Sequence, residues 1–123
     1  MDEAYFFDTY AIIEIIKGNP NYLKYKDVAS AITLFNVVEL HYALLREYSS
    51  VLADAVAGKY AEFQVEIDFE IIKTANTLKL QHRKRNLSAA DVIGYATAQK
   101  LGIKFLTGDD DFKDMVNVEF VKK

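Results

Sequence analysis

Short apolar segments that read as strands alternate along this chain with stretches whose apolar residues recur at helical spacing, and this alternation constrains the fold more than any other feature. "AYFF" (Ala4 to Phe7) is brief and aromatic, and "YAIIEIIKG" after it has a helical period that stops at Gly18. "NPNYLKYKD" opens on a turn signal and suits a short helix with Tyr22, Leu23 and Tyr25 on its apolar side. "SAITLF" (Ser30 to Phe35) reads as a buried strand ending at Asn36, followed by "VVELHYALLREY" as a helix. "SVLADAVAGKY" predicts a helix closed near Gly58, and "EFQVEID" alternates as a third strand. "FEIIKTANTLKLQHRKR" reads as a long helix with a basic carboxyl end, and "LSAADVIGYATAQKLG" as a helix stopped by Gly102. "IKFLTG" and "VEFVK" supply a fourth and a fifth strand. The expectation is an α/β fold, a three-layer α/β/α sandwich with a central, mostly parallel sheet of about five strands. Such sheets bind ligands at the carboxyl ends of their strands.

The chain has 123 residues, 51% of them hydrophobic, which suits one domain over 1–123 with one core. One proline and five glycines leave no evident linker. No apolar run reaches the roughly 20 residues of a membrane span. "MDEAYFF" is acidic where a secretion signal is basic, so the expected location is cytoplasmic. The absence of cysteine removes disulfides, thiolate zinc sites and a cysteine nucleophile. Two histidines, His41 and His82, are too few for a histidine-built metal site. The net charge of -3 provides no global positive field, so polyanion binding would need a local patch or a bound cation.

The acids carry the chemistry. "FLTGDDDF" (Phe105 to Phe112) sets three aspartates at a strand end, and two unit charges about 5 Å apart repel by roughly 3 kcal/mol at an effective dielectric of about 20. Asp8 follows the first strand, Asp109 the fourth, and Glu39 and Asp91 lie in first turns of helices. Each has a capping explanation. "NVVE" (Asn36 to Glu39) and "SAAD" (Ser88 to Asp91) look like capping boxes, Asp8 suits a cap for the next helix, and Asp110 or Asp111 suits the turn around "DFKDM". A cap of this kind is worth about 0.5 to 2 kcal/mol. Yet the layout draws Asp8, Glu39 and Asp109 to one edge of the sheet, and Asp91 joins them if its helix also begins there, which a helix entering the fourth strand is not expected to do by default. Converged, these oxygens suit magnesium or manganese. Such an ion handles phosphate esters by orienting water and stabilising charge on the leaving oxygen.

The ordered set "FFDTYAIIEI", "NVVELHYAL", "LSAADVIGYATAQKLG" and "FLTGDDDF" resembles the PIN-domain family, in particular the compact VapC-like ribonuclease toxins, over nearly the whole chain. The resemblance implies that Asp8, Glu39, Asp91 and Asp109 bind Mg2+ or Mn2+, and that the helix start bearing Asp91 does reach the site. It implies a supporting or second-metal role for Asp111. Thr9 and Thr107 match hydroxyl positions that hold a metal-bound water, with local backbone hydrogen bonds as the alternative. The implied activity is metal-dependent endonucleolytic hydrolysis of RNA by water, leaving 5′-phosphate and 3′-hydroxyl ends. The implied partners are the RNA substrate, a small inhibitory antitoxin in a groove near the site and a second copy in a homodimer. Asp110 is extra to the common pattern.

Arg46, seven residues after Glu39, shares its helix face about 10 Å away and could meet a flanking phosphate. "HRKR" (His82 to Arg85), with Arg83 and Arg85, is either a solvated helix end or an RNA backbone contact. His41 reads as an ordinary helix residue. Tyr22, Leu23, Tyr25, Leu44, Leu45, Tyr48, Val51 and Leu52 form either core or a surface for a partner. Two other readings compete. A phosphoaccepting receiver domain would use Asp68 but leave Glu39 and Asp91 unexplained. A catalytically silent PIN-like RNA- or protein-binding module would have no reason to keep all four acids.

Overall fold

The computed structural model describes residues 3–122; Met1 and Asp2 of the acidic amino terminus, and Lys123, lie outside them. The described residues form four strands, β1 (Ala4–Phe7), β2 (Ala29–Ala31), β3 (Lys104–Thr107) and β4 (Val118–Phe120), paired in parallel in the order β2-β1-β3-β4. Five α-helices accompany them: α1 (Thr9–Ile16), α2 (Leu34–Glu47), α3 (Ser50–Tyr60), α4 (Phe69–Gln81) and α5 (Ala89–Leu101). The segment read as a short helix is a 3-10 turn over Pro20–Tyr25.

The period of two in a strand sends consecutive side chains to opposite faces, and both faces here are covered. Tyr5, Phe7 and Leu106 pack with Ile12, Leu40, Leu44 and Ala53, from α1, α2 and α3. Phe6 and Phe105 pack on the other side with Ile71, Ala75, Val92 and Tyr95, from α4 and α5. Each fully buried side chain of this size contributes about 1.5–3 kcal/mol. The layers are therefore those expected.

The sheet has four strands rather than five. "EFQVEID" forms a 3-10 turn over Ala61–Phe63 and then one bridge, Gln64 to Ile32. Its would-be partner ends too soon: β2 stops at Ala31, and Thr33 already caps α2. A ladder needs several paired residues, and one bridge is all the remaining length permits. For the same reason α2 begins at Leu34 instead of after Asn36. Gly58 does not close α3, which continues to Tyr60.

The direction of α5 is decided at its far end. Gly102 adopts a left-handed φ of 69° that closes the helix, and β3 starts two residues later at Lys104. With so short a link, α5 must run back along the sheet, so it starts at the edge where the strands end. The expectation that a helix entering this strand would begin elsewhere was wrong. Gly94 lets α5 lie close: a Cβ there would sit 2.7 Å from Phe6 Cε1 and 3.2 Å from Phe105 Cε1. Among the described residues no helix is long and apolar enough to cross a membrane.

Candidate active site

β1 and β3 are neighbours, but the chain leaves β1 for β2 on one side and leaves β3 for β4 on the other. That divergence opens a crevice at their carboxyl ends, the place where open α/β sheets bind ligands. The Asp8 N–H donates to the Leu106 carbonyl at 3.0 Å, carrying the ladder one residue beyond β1. Asp8 occupies the N-cap position of α1, yet its side chain makes no capping bond. Its Oδ2 instead accepts from the Thr107 hydroxyl at 2.6 Å, and the Thr107 oxygen accepts from the Asp109 N–H at 3.1 Å. Asp109, rather than Asp110 or Asp111, caps the turn that follows, its Oδ1 accepting from the Asp111 N–H at 3.0 Å.

Glu39 is likewise not a cap. The cap of α2 is Thr33, whose N–H donates to Asn36 Oδ1 at 2.9 Å, so "NVVE" is not the capping box. Glu39 stands one turn deeper, and its Oε1 accepts from the Thr9 hydroxyl at 2.8 Å. Thr9 accepts in turn from Asn36 Nδ2 at 3.1 Å. Asn36, expected only as a cap, is a functional residue that the sequence did not signal, because asparagine is itself among the preferred caps. Asp91 does form the expected box, with Ser88 N–H donating to its Oδ2 at 2.8 Å and its own N–H donating to Ser88 Oγ at 3.1 Å.

The four acids sense one another. Asp8 is 5% exposed, and its carboxyl is pushed up to about 8, by burial first and then by Asp91, against the lowering bond from Thr107, with Asp109 and Glu39 adding to the rise. Burial also raises Asp91, with Ser88 opposing and Asp109 and Glu39 reinforcing. Among the described residues, however, no three acids or histidines stand close enough to enclose an ion alone. Glu39, Asp91 and Asp109 each have an oxygen committed to a protein donor. This all-oxygen set suits a largely hydrated magnesium, which takes one or two carboxylates directly and keeps several waters.

The surroundings divide the other candidates. Asp111 is half-buried near Asp109, and its carbonyl accepts from Arg85 Nη1 at 2.6 Å. Arg85 also pairs with Asp114 at 2.9 Å, so it belongs to the rim of the last motif. Asp110 is exposed and answered by Lys122 at 2.9 Å. Arg83 is exposed and returns to the Leu80 carbonyl at 3.2 Å. Arg46 lies over the Tyr42 ring, pairs with Glu47 at 3.1 Å and lines a cleft with Ile13, Lys17, Leu44 and Tyr48, separate from the carboxylates. His41 pairs with Asp54 at 2.8 Å. Asp68 caps α4 and pairs with Lys100, structural work that leaves no support for a phosphoacceptor. Tyr22, Tyr25 and Leu44 are core, whereas Leu23, Leu45, Tyr48 and Val51 are open, as are Leu34, Val38 and Tyr42 along α2.

A parallel α/β sheet whose switch point gathers carboxylates from four separate motifs defines a recognisable class. The PIN domain model matches residues 5–117, and the chain belongs to the PIN domain family. A chain of a toxin–antitoxin complex from Klebsiella pneumoniae is 19% identical with a TM-score of 0.74, over 94% of this chain and 95% of that one. A chain of DNA-bound VapBC from Salmonella typhimurium is 14% identical with a TM-score of 0.73, over 99% and 98%. One of VapBC-5 from Mycobacterium tuberculosis is 19% identical with a TM-score of 0.66, over 98% of both. At these identities the likeness is one of fold. No curated protein matches the chain.

Proposed function

We propose that this chain is a VapC-like toxin: a cytoplasmic Mg2+- or Mn2+-dependent endoribonuclease, restrained by a small antitoxin and acting as a homodimer. The observation that carries this reading is the approach of Glu39, Asp91 and Asp109, from three other motifs, to the buried Asp8 carboxyl, whose proton affinity is raised by burial and by their charge. When bound, the metal supplies the positive charge that polarises a phosphoryl oxygen and readies a water for attack. Asp8, Glu39, Asp91 and Asp109 would hold it in place. Thr107 and Thr9 each engage one oxygen of Asp8 and of Glu39, so the other oxygen of each stays available to a ligand. Asp8 would hold a cation only as the carboxylate, so its raised proton affinity would make binding weaken as pH falls. Asp111 adds a further carboxylate at the rim, and Arg85 and Arg83 are the cations for flanking RNA phosphates, whereas Arg46, in its separate cleft, is not one of them.

Membership of the PIN family supports nuclease chemistry, and the fold shared with chains of toxin–antitoxin complexes supports an antitoxin partner. Exposed Leu34, Val38 and Tyr42, on the same helix as Glu39, provide apolar surface for one. The test is a labelled mixed-sequence single-stranded RNA incubated with magnesium, manganese or chelator, beside an Asp8→Asn variant. Metal-dependent cutting that the variant lacks is the expected result. An intact wild-type digest with no metal binding would return the chain to the silent binding-module reading.

A further inference from the structure

We infer that Asn36 is a positioning residue for Glu39, acting through the Thr9 hydroxyl; the inference rests on the metal-binding reading above. Asn36 is 1% exposed, so both ends of its carboxamide need partners. Which end points where is forced. A backbone N–H only donates, so the Thr33 N–H at 2.9 Å fixes the carboxamide oxygen at the helix start, and the Thr33 hydroxyl at 3.1 Å meets the same oxygen. The nitrogen must then face Thr9, 3.1 Å away. Because the Thr9 oxygen accepts from that nitrogen, its own proton is free for Glu39 Oε1 at 2.8 Å. Donation runs in one direction, from Thr33 to Asn36 to Thr9 to Glu39.

Capping alone does not require this residue. An aspartate, glutamate or glutamine would accept from the cap N–H as well. What asparagine adds over a carboxylate is the donor, and that donor crosses to another element 27 residues away in sequence. Glu39 is a long side chain whose rotamers are otherwise lost only when a ligand orders it. Anchored at one oxygen, it meets a cation already oriented. Asp8 is held by the same logic, with the Asp109 N–H feeding Thr107 and Thr107 feeding Asp8.

The experiment is Mn2+ titration by calorimetry, with melting temperature recorded in chelator, for wild type, Asn36→Ala, Thr9→Val, their double variant, Thr9→Ser and Ser49→Ala. Outer-shell partners of metal ligands typically contribute about 10–100-fold in affinity, so Asn36→Ala and Thr9→Val should each weaken binding by about tenfold or more. The double variant should bind no worse than the weaker single, because both interrupt one relay. Thr9→Ser keeps the hydroxyl and should keep the affinity. Ser49→Ala removes the cap of α3, where Ser49 Oγ accepts from the Leu52 N–H, and should lower the melting temperature while leaving affinity at the wild-type value, which separates positioning from mere stability. If Asn36→Ala does not fold, Thr9→Val against Thr9→Ser carries the test. Wild-type affinity in both Asn36→Ala and Thr9→Val, or additive losses in the double variant, would overturn the role of Asn36 and leave the nuclease reading standing. A wild type that binds no Mn2+ would sink both.

Discussion

Replacing Asp8 by asparagine should make the metal-free protein more stable, by an amount that grows with pH. The Asp8 carboxyl is raised from 3.8 to about 8, chiefly by burial and then by the charge of Asp91, with Asp109 and Glu39 contributing. Through that interval the folded protein keeps a proton that the unfolded chain has released, so wild-type stability falls as pH rises and levels off above about 8. Asparagine carries no such charge, and its carbonyl can accept the same Thr107 bond. Since one unit corresponds to about 1.4 kcal/mol, the advantage of Asp8→Asn should increase by at most about 4 kcal/mol between about pH 5 and about pH 8, less whatever relaxation and entering water relieve. Urea denaturation in chelator at the two pH values measures it. Adding magnesium should reverse the order, because ligand binding to the folded wild type stabilises it by mass action and the variant lacks the ligand. A stability difference that stays flat with pH would refute the buried, charge-crowded environment assigned to Asp8.

Other outcomes follow from neighbouring contacts. Gly94→Ala would bring a methyl to 2.7 Å from Phe6, and an overpacked core of this kind costs about 1–3 kcal/mol, readable as a lower urea midpoint. Thr107→Val removes the one bond that lowers the Asp8 pKa, so the pH at which wild-type stability levels off should move upward in the variant. Arg85→Ala breaks a solvent-screened surface pair with Asp114; its melting temperature should change little, while RNA affinity should fall and its salt dependence become shallower.

The parts of this fold that were legible in the sequence are those set by short-range pattern. The strands Ala4–Phe7 and Lys104–Thr107 and the box joining Ser88 to Asp91 each depend on residues close in sequence, so periodicity and spacing suffice. The missing strand fails for a different reason: "EFQVEID" has the right alternation, but pairing depends on the length of a partner some thirty residues earlier, which Thr33 cuts short. The choice of Thr33 over Asn36 as the cap of α2 also had to be read from the structure, since both residue types cap well and only the end of β2 decides between them. That choice releases Glu39 from capping and lets it meet the Thr9 hydroxyl, a partner invisible locally. Arg46 illustrates the limit of helical spacing, which put it on the face of Glu39 without revealing that Tyr42 and Glu47 occupy it.

The turn at Pro20–Tyr25 reaches across to the final strand: the Tyr22 hydroxyl donates to the Val121 carbonyl at 2.5 Å, the Tyr25 hydroxyl to Glu119 at 2.5 Å and Asn21 Nδ2 to the Lys122 carbonyl at 3.2 Å. Between β3 and this fastened strand runs the segment bearing Asp109, and Gly108 within it is wedged so tightly that a Cβ would lie 2.4 Å from both the Tyr10 ring and the Val121 carbonyl. The acid-bearing loop is therefore held from both sides, by the strand pairing of β3 before it and by tyrosine hydroxyls on the chain after it. Tyr22→Phe leaves the Val121 carbonyl without its partner and should loosen the chain against which Gly108 packs, so hydrogen exchange at the Asp109 amide should quicken.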